Sequence, residues 1–226
     1  MKRRTLDIIF AGGGVLLAAL LVVLGFVLAD QQSFAKDYVR GELSAQKITF
    51  ATSEKLTEPE KTWKPGSVCL VENAGKTMET GKQAECYAKY FIAFHMTQSA
   101  TTAGYPGETY ATLGPIRTDL TAQVKAAKDK GDTAAAEAAQ KKLDSATSLR
   151  GTMQTGETLR GLLLTTYGFS IFGDKAALAA NVLYALAALL AVLSIAGFVH
   201  AFVTPKEEVV GVLTSPANPG GVRREA

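Results

Sequence analysis

Residues 8–28 read IIFAGGGVLLAALLVVLGFVL, and residues 176–203 read AALAANVLYALAALLAVLSIAGFVHAFV. The first run has no charge, and Tyr184 and His200 are the only titratable groups of the second. A helix needs about 20 apolar residues to cross the hydrocarbon core of a bilayer, where it satisfies its own backbone hydrogen bonds. The two runs therefore predict two transmembrane helices.

The first run also has features of a secretory signal peptide. Lys2, Arg3 and Arg4 form a basic leading segment, and the sequence Val27-Leu28-Ala29 fits a signal-peptidase site. Cleaved signals usually have an apolar region of about 7–15 residues, which is shorter than this run. We therefore expect the segment to be retained as an anchor.

Basic residues near the ends of the two runs predict the orientation. Lys2, Arg3 and Arg4 precede the first run and Lys206 follows the second, so the positive-inside rule places both termini in the cytoplasm. We expect a plasma (inner) membrane protein with its main domain outside. The predicted parts are a cytoplasmic N-terminus (1–7), a first span (8–28), an extracytoplasmic domain (29–175), a second span (176–203) and a disordered cytoplasmic tail (204–226).

The charges of the outside domain nearly cancel. Residues 30–175 contain 18 Lys and Arg against 17 Asp and Glu, a net charge of +1. A near-neutral surface of mixed sign argues against nucleic acid or a polyanionic cell-wall polymer as a dedicated partner.

The two cysteines of the chain, Cys69 and Cys86, both fall in the predicted outside domain. An oxidising compartment and an even count favour a disulfide, which would stabilise the fold by about 3 kcal/mol. Two free thiols are the alternative. A metal site is disfavoured because no histidine or acidic cluster lies beside them at ligand spacing.

Periodicity predicts that the outside domain is mainly α, with at most one small β element. The first span should continue as a helix over 30–46, with Phe34, Tyr38 and Leu43 on one apolar stripe. Short strands are predicted at 47–51 and 68–71, and a helix at 83–98.

A helical hairpin is the most regular feature predicted in the domain. Apolar residues recur at helical spacing over 116–127 and again over 136–149, and Gly131 and Asp132 suit a helix end and a new N-cap. Residues 157–172 then become steadily more apolar. They form either an amphipathic helix on the outer membrane surface or a core helix of the domain.

The histidines argue against catalysis. The predicted topology places His95 outside and His200 at the cytoplasmic end of the second span, so one site cannot use both. His95 lies in the apolar context YFIAFHM, which is more typical of a packed histidine than of a general base. We expect no catalytic residues, no metal site, no cofactor and no enzymatic activity.

Small residues recur four apart within both spans. Such pairs let helices approach closely, and an amide adds a hydrogen-bonding group, although Gly and Ala are common in any span. We predict a helix-packing face, either between the two spans or against another membrane protein or a second copy of the chain. The pairs are Gly14 with Ala18, Gly25 with Ala29, Ala176 with Ala180, Ala177 with Asn181, and Ala187 with Ala191.

Each span also carries an ionisable residue at its cytoplasmic end. If the spans pack as a hairpin, Asp7 and His200 can meet. No further ionisable group continues inward along either span, so we interpret them as a structural clasp rather than a proton relay.

Several segments resemble a family of uncharacterised actinobacterial two-span membrane proteins. They are KRRTLDIIFAGGG (2–14), FAKDYVRGELSAQKITF (34–50), GKQAECYAKYFIAFHM (81–96), GETLRGLLLTTYGFSIFG (156–173) and GFVHAF (197–202). Members are sometimes named automatically as aromatic ring-opening dioxygenases. Non-haem iron in such enzymes needs two histidines and a carboxylate at one site, which the predicted separation of His95 and His200 does not allow.

These features predict a non-enzymatic accessory or assembly subunit of a cell-envelope membrane complex, whose partners are the lipid bilayer and a membrane protein or second copy. The alternative is an extracytoplasmic ligand-sensing or transport-accessory module that acts through a partner.

Overall fold

A computed structural model describes residues 2–62 and 66–205. Within these ranges the protein is mainly helical, as the periodicity of the outside domain predicts, and it contains no β-strand. The predicted tail over 204–226 lies outside the described residues from 206 onward. In chain order the helices are α1 (Arg3–Ala45), α2 (Glu58–Thr62), α3 (Gly66–Glu72), α4 (Gly81–Cys86), a π-helical segment (Tyr87–Ile92), α5 (Ala93–Thr102), α6 (Leu113–Asp129) and α7 (Thr133–Val203).

Both apolar runs lie inside long helices. The run over 8–28 belongs to α1 and the run over 176–203 to α7, and both helices are long and apolar enough to cross a membrane by length and composition. The chain divides into two compact units. The first contains the described residues up to Asp30 and from Ala176 onward, and the second contains Gln31–Lys175.

The second unit has its own hydrophobic core. Its largest fully buried side chains come from separate segments and are Leu43, Leu70, Met78, Leu113 and Leu163. Burial of this kind contributes about 1.5–3 kcal/mol for each large apolar side chain.

The part of α1 in this unit buries a different stripe from the one predicted. Ala35, Val39 and Leu43 are buried, whereas Phe34 and Tyr38 are exposed and stack on each other with ring centroids 5.9 Å apart. The four-residue spacing of the buried set follows the helix turn. The prediction is confirmed for Leu43 and wrong for Phe34 and Tyr38, because it favoured large side chains where α7 approaches closely: a Cβ on Gly173 would lie 2.9 Å from the Cβ of Ala35.

The strand prediction for residues 47–51 reduces to one isolated antiparallel bridge between Thr49 and Thr77. The backbone N–H of Phe50 donates to Lys76 at 3.0 Å, and that of Met78 donates to Ile48 at 2.8 Å. This pairing is with residues 76–78 and not with the segment that contains Cys69.

The strand predicted at 68–71 is wrong, because these residues lie in α3. Gly66, Ser67 and Leu70 are buried while Val68 and Val71 are exposed, a pattern of helical spacing rather than strand alternation. Four consecutive residues were too few to separate the two periods.

The disulfide joins Cys69 on α3 to Cys86 at the end of α4, with Cα atoms 6.0 Å apart. It therefore links two helices. The helix predicted at 83–98 is present as α4, the π-helical segment and α5 in succession. A capping box begins it: Gln83 N–H donates to the Thr80 side chain, and the Gln83 side chain accepts from the Thr80 N–H.

The predicted hairpin corresponds to α6 and the first part of α7. Gly131 has a φ of 69°, the left-handed conformation that glycine adopts at a helix end, and Asp132 Oδ1 accepts from the Ala135 N–H at 2.9 Å. Arg117 Nε donates to Thr147 Oγ1 at 2.9 Å, which links the two helices.

Residues 157–172 are not a separate helix, since they continue α7 without interruption. Leu163 is fully buried and Leu159 packs against the same core, whereas Leu162 and Phe172 are exposed. One face of this stretch thus belongs to the domain core, and the other leaves apolar side chains uncovered.

Removal of the disulfide should destabilise the second unit. We expect Cys69→Ser/Cys86→Ser to lower the free energy of unfolding by about 3 kcal/mol, because the unfolded chain gains the entropy of an open loop. Denaturant unfolding of the full chain in detergent, followed by circular dichroism, measures this. Reductant should shift the wild type to the same midpoint and leave the double variant unchanged; equal midpoints for all samples would contradict the prediction.

Candidate functional site

In the first unit, small residues line the contact between α1 and α7. The buried positions recur every seventh residue on both helices. A seven-residue repeat keeps one face toward a partner helix that winds around it with left-handed twist. We call this set the small-residue seam: Ala11, Ala18 and Gly25 on α1, with Ala180, Ala187, Ser194 and Ala201 on α7.

The two backbones approach too closely for larger side chains at several levels of the seam. A Cβ on Gly25 would overlap the ring of Tyr184, and one on Gly14 would overlap Ser194 Oγ. On the opposite helix, a Cβ on Gly197 would lie 3.2 Å from the Cβ of Ala11. Such close approach gives the dense van der Waals packing on which helix pairs in lipid depend.

The predicted packing residues divide into three groups. Ala18, Gly25, Ala180 and Ala187 belong to the seam, and Gly14 lies against it. Asn181 is exposed. The remaining four, Ala29, Ala176, Ala177 and Ala191, are partly buried.

Ala11, Ser194 and Ala201 of the seam were missed, and so was the contact of Tyr184 with Gly25. The signal that reveals the set is the repeat of seven. A search for pairs four apart cannot detect it, because each such pair covers little more than one helical turn.

Asp7 and His200 lie together at one end of this unit. His200 Nδ1 is 3.0 Å from Asp7 Oδ2, and the hydroxyl of Thr204 donates to the His200 carbonyl at 2.8 Å. The guanidinium of Arg4 lies over the Phe202 ring at 5.7 Å. Both His200 and Asp7 retain solvent exposure, so the pair is a surface contact and not a buried charge relay.

His95 belongs to the second unit, where it makes structural contacts. Its Nδ1 lies 2.9 Å from the carbonyl oxygen of Phe91, one turn earlier, and its ring centroid is 4.3 Å from that of Phe91. The closest carboxylate oxygen is Glu60 Oε1 at 3.9 Å. The geometry therefore orients the imidazole through its own helix.

Glu60 is a buried carboxylate that serves the start of α2. Its Oε2 accepts from both the N–H and the hydroxyl of Thr57, at 2.8 and 2.7 Å. This arrangement satisfies a backbone donor at the helix N-terminus.

Glu85 is also committed to neighbouring groups. Its carboxylate accepts a hydrogen bond from Lys89 at 2.6 Å, and this bond raises the pKa of Lys89. A hydrogen bond with Glu85 likewise raises the pKa of Tyr167, and burial raises the pKa of Tyr87. These shifts favour the ammonium form of the lysine and the neutral form of the phenols.

Within residues 2–62 and 66–205, no three His, Cys, Asp or Glu side chains come together in a way that would hold a metal ion. His95 and His200 belong to different compact units. No protein-family model, curated protein or solved structure matches the chain. The resemblance to the actinobacterial two-span family therefore stays a prediction.

A bulky residue in the small-residue seam should separate the helices. We expect Gly25→Leu to destabilise the first unit by about 1–3 kcal/mol, because the side chain would collide with Tyr184. Gly13→Leu is the matched control, since a Cβ on Gly13 meets no atom within 4 Å. Thermal unfolding in detergent compares the two, and an equal effect of both substitutions would contradict the packing described.

The contact between Asp7 and His200 should contribute a small, measurable coupling. For a pair this exposed we expect about 0.2–1 kcal/mol in a double-mutant cycle of Asp7→Asn and His200→Phe. Thermal unfolding in detergent provides the four values. Additive effects of the two substitutions, or no effect of His200→Phe, would show that the contact is not a clasp.

Proposed function

We propose that the chain is a non-enzymatic accessory or assembly subunit of a cell-envelope membrane complex. In this proposal the two apolar runs cross the plasma (inner) membrane, both termini are cytoplasmic, and residues 29–175 lie outside. Membership of the actinobacterial two-span family belongs to the same proposal.

The observation that carries the proposal is the surface of the two apolar runs. Only 17% of the most apolar window of α1 and 11% of that of α7 is buried. Leu16 is 74% exposed, Val192 63% and Phe202 71%. Exposed apolar surface costs about 25 cal/mol for each Å² in water and nothing comparable in hydrocarbon. This surface supports embedding in a bilayer more than the core of a soluble protein.

Asn181 supports a partner within the membrane. It is exposed and directly follows Ala180 of the small-residue seam, so its side chain projects about 100° around α7 from the seam. An amide in lipid gains by hydrogen bonding to another helix, because lipid chains offer no partner. The proposed occupant of this face is a membrane protein or a second copy of the chain.

The engagement of the polar groups supports a role without catalysis. His95 contacts the Phe91 carbonyl, one oxygen of Glu60 (Oε2) caps α2, and Glu85 holds Lys89 and Tyr167. A general base or nucleophile pair would instead face each other across a substrate position. In this unit the same side chains stabilise helix ends and helix contacts.

One observation favours the alternative, a ligand-sensing or transport-accessory module. A cleft of about 580 Å³ lies between the π-helical segment, α5 and α7, and is lined among others by Tyr87, Phe91, Met96 and Leu159. Its volume falls within the range of about 300–1,000 Å³ that is typical of small-molecule sites. A ligand retained there would support this module over the assembly subunit.

The mass of the detergent-solubilised chain tests the proposal. We expect the full chain, purified from membranes in mild detergent, to run as a complex of fixed stoichiometry in light scattering and native mass spectrometry. Asn181→Leu should shift it toward the free chain, because the amide can no longer bond across helices. Leu189→Val, at another exposed position of α7, should leave the complex unchanged.

A monodisperse monomer without a partner would contradict the subunit proposal. A monomer that retains a small molecule would favour the sensing alternative. Equal effects of Asn181→Leu and Leu189→Val would show that the partner does not use the Asn181 face.

A further inference from the structure

A charged cleft lies between α1, the start of α4 and α7 within the second unit. It has a volume of about 450 Å³. A Cβ on Gly81 would overlap Ser170 Oγ, so the first residue of α4 packs directly on α7. This contact closes one side of the cleft, and the buried Val39 of α1 lines another part of it. We call it the α1–α4–α7 cleft.

Charges of both signs line this cleft in equal number. One pair is already formed, since Arg40 lies 3.4 Å from Glu79. The other four groups make no ion pair with any described residue. The cations are Lys36, Arg40 and Lys82, and the anions are Asp37, Glu79 and Asp174. Two ammonium groups and two carboxylates thus remain available to a ligand.

The cleft residues lie in or close to the lipid headgroup layer along their helices, an argument that rests on the proposed membrane embedding. Asp174 precedes the second apolar run by two residues, about 3 Å of helix, and Lys36 follows the first run by eight, about 12 Å. The headgroup layer occupies roughly 5–8 Å on each side of the hydrocarbon core. Asp174 therefore lies inside that layer, and the backbone of Lys36 lies about 4 Å beyond its outer limit.

We propose that the α1–α4–α7 cleft binds the headgroup of a phosphatidylethanolamine lipid. The phosphate accepts hydrogen bonds from Lys36 and Lys82, and the primary ammonium donates to Asp37 and Asp174. A choline headgroup has the same charges and no N–H to donate, and a glycerol headgroup has no cation. The cleft should therefore discriminate between these three headgroups.

Native mass spectrometry of the full chain tests this discrimination. The protein is reconstituted in nanodiscs of phosphatidylcholine that contain equal small fractions of phosphatidylethanolamine and phosphatidylglycerol, then released with its retained lipids. We expect phosphatidylethanolamine to be enriched among the retained lipids by fivefold or more over its share in the nanodisc. Free phosphoethanolamine at millimolar concentration, added before release, should not displace it, which separates a lipid from a soluble phosphate ester as the source of the headgroup.

Substitutions in the cleft test the contributions of its carboxylates and its lysines separately. Asp37→Asn/Asp174→Asn should abolish the preference for ethanolamine over choline, and Lys36→Gln/Lys82→Gln should reduce retention of every phospholipid about fivefold for each lysine. The matched controls are Asp119→Asn/Glu137→Gln and Lys141→Gln/Lys142→Gln, which change exposed charges of the same unit outside the cleft. If a double variant unfolds, a single substitution at an exposed position of the same set replaces it, Lys82→Gln for the lysines and Asp174→Asn for the carboxylates.

Equal retention of ethanolamine and choline lipids would overturn the proposal, as would a preference that survives in the carboxylate variant. Retention of phosphatidylglycerol as strong as that of phosphatidylethanolamine would also overturn it, because cations alone would then explain the binding. Displacement by phosphoethanolamine would reassign the cleft to a soluble ligand. Flotation with liposomes distinguishes the two proposals: a chain that does not float overturns both, whereas a floating chain without headgroup preference overturns only the lipid site.

Discussion

Backbone hydrogen bonding constrains the apolar runs more than any side-chain contact. A segment in hydrocarbon must form hydrogen bonds with every N–H and C=O group inside the segment, and a continuous helix does this without a partner segment. Here the regular helix extends beyond the runs, since α1 and α7 continue into the second unit. The same two helices consequently supply Ala35, Val39 and Leu43 on one side of its core and Leu163 on another.

Helices also approach each other closely in both units. Gly25 against Tyr184 in the first unit, and Gly173 against Ala35 or Gly81 against Ser170 in the second, are all places where a side chain would displace a neighbour. Small residues contribute little buried area each. Their contribution is to bring long surfaces into contact, so many weak dispersion contacts add up along the helix.

The long-period features of the fold were predictable from the sequence, and the short ones were not. The residue types themselves were enough to predict the two apolar helices, the helix break at Gly131–Asp132 and the disulfide between the two cysteines. The segment 68–71 was misassigned because four residues fit either period. In the first unit, the small-residue seam can be recognised only from a repeat of seven residues. The side chains that contact its glycines come from the opposite helix, and the sequence around each glycine does not identify them.

The contacts at the two ends of the first unit fix how α1 and α7 are aligned along their length. Between Asp7 and Gly25, α1 rises about 27 Å, and between Tyr184 and His200, α7 rises about 24 Å, so both contacts are satisfied at a single alignment. Sliding one helix by a turn, about 5.4 Å, would separate Asp7 from His200 and drive Tyr184 away from the only space that Gly25 opens for it. A piston stroke between these helices is therefore costly. Rotation or tilting of the pair as one body keeps both contacts, so under the proposed membrane embedding any message carried across the bilayer would have to take that form.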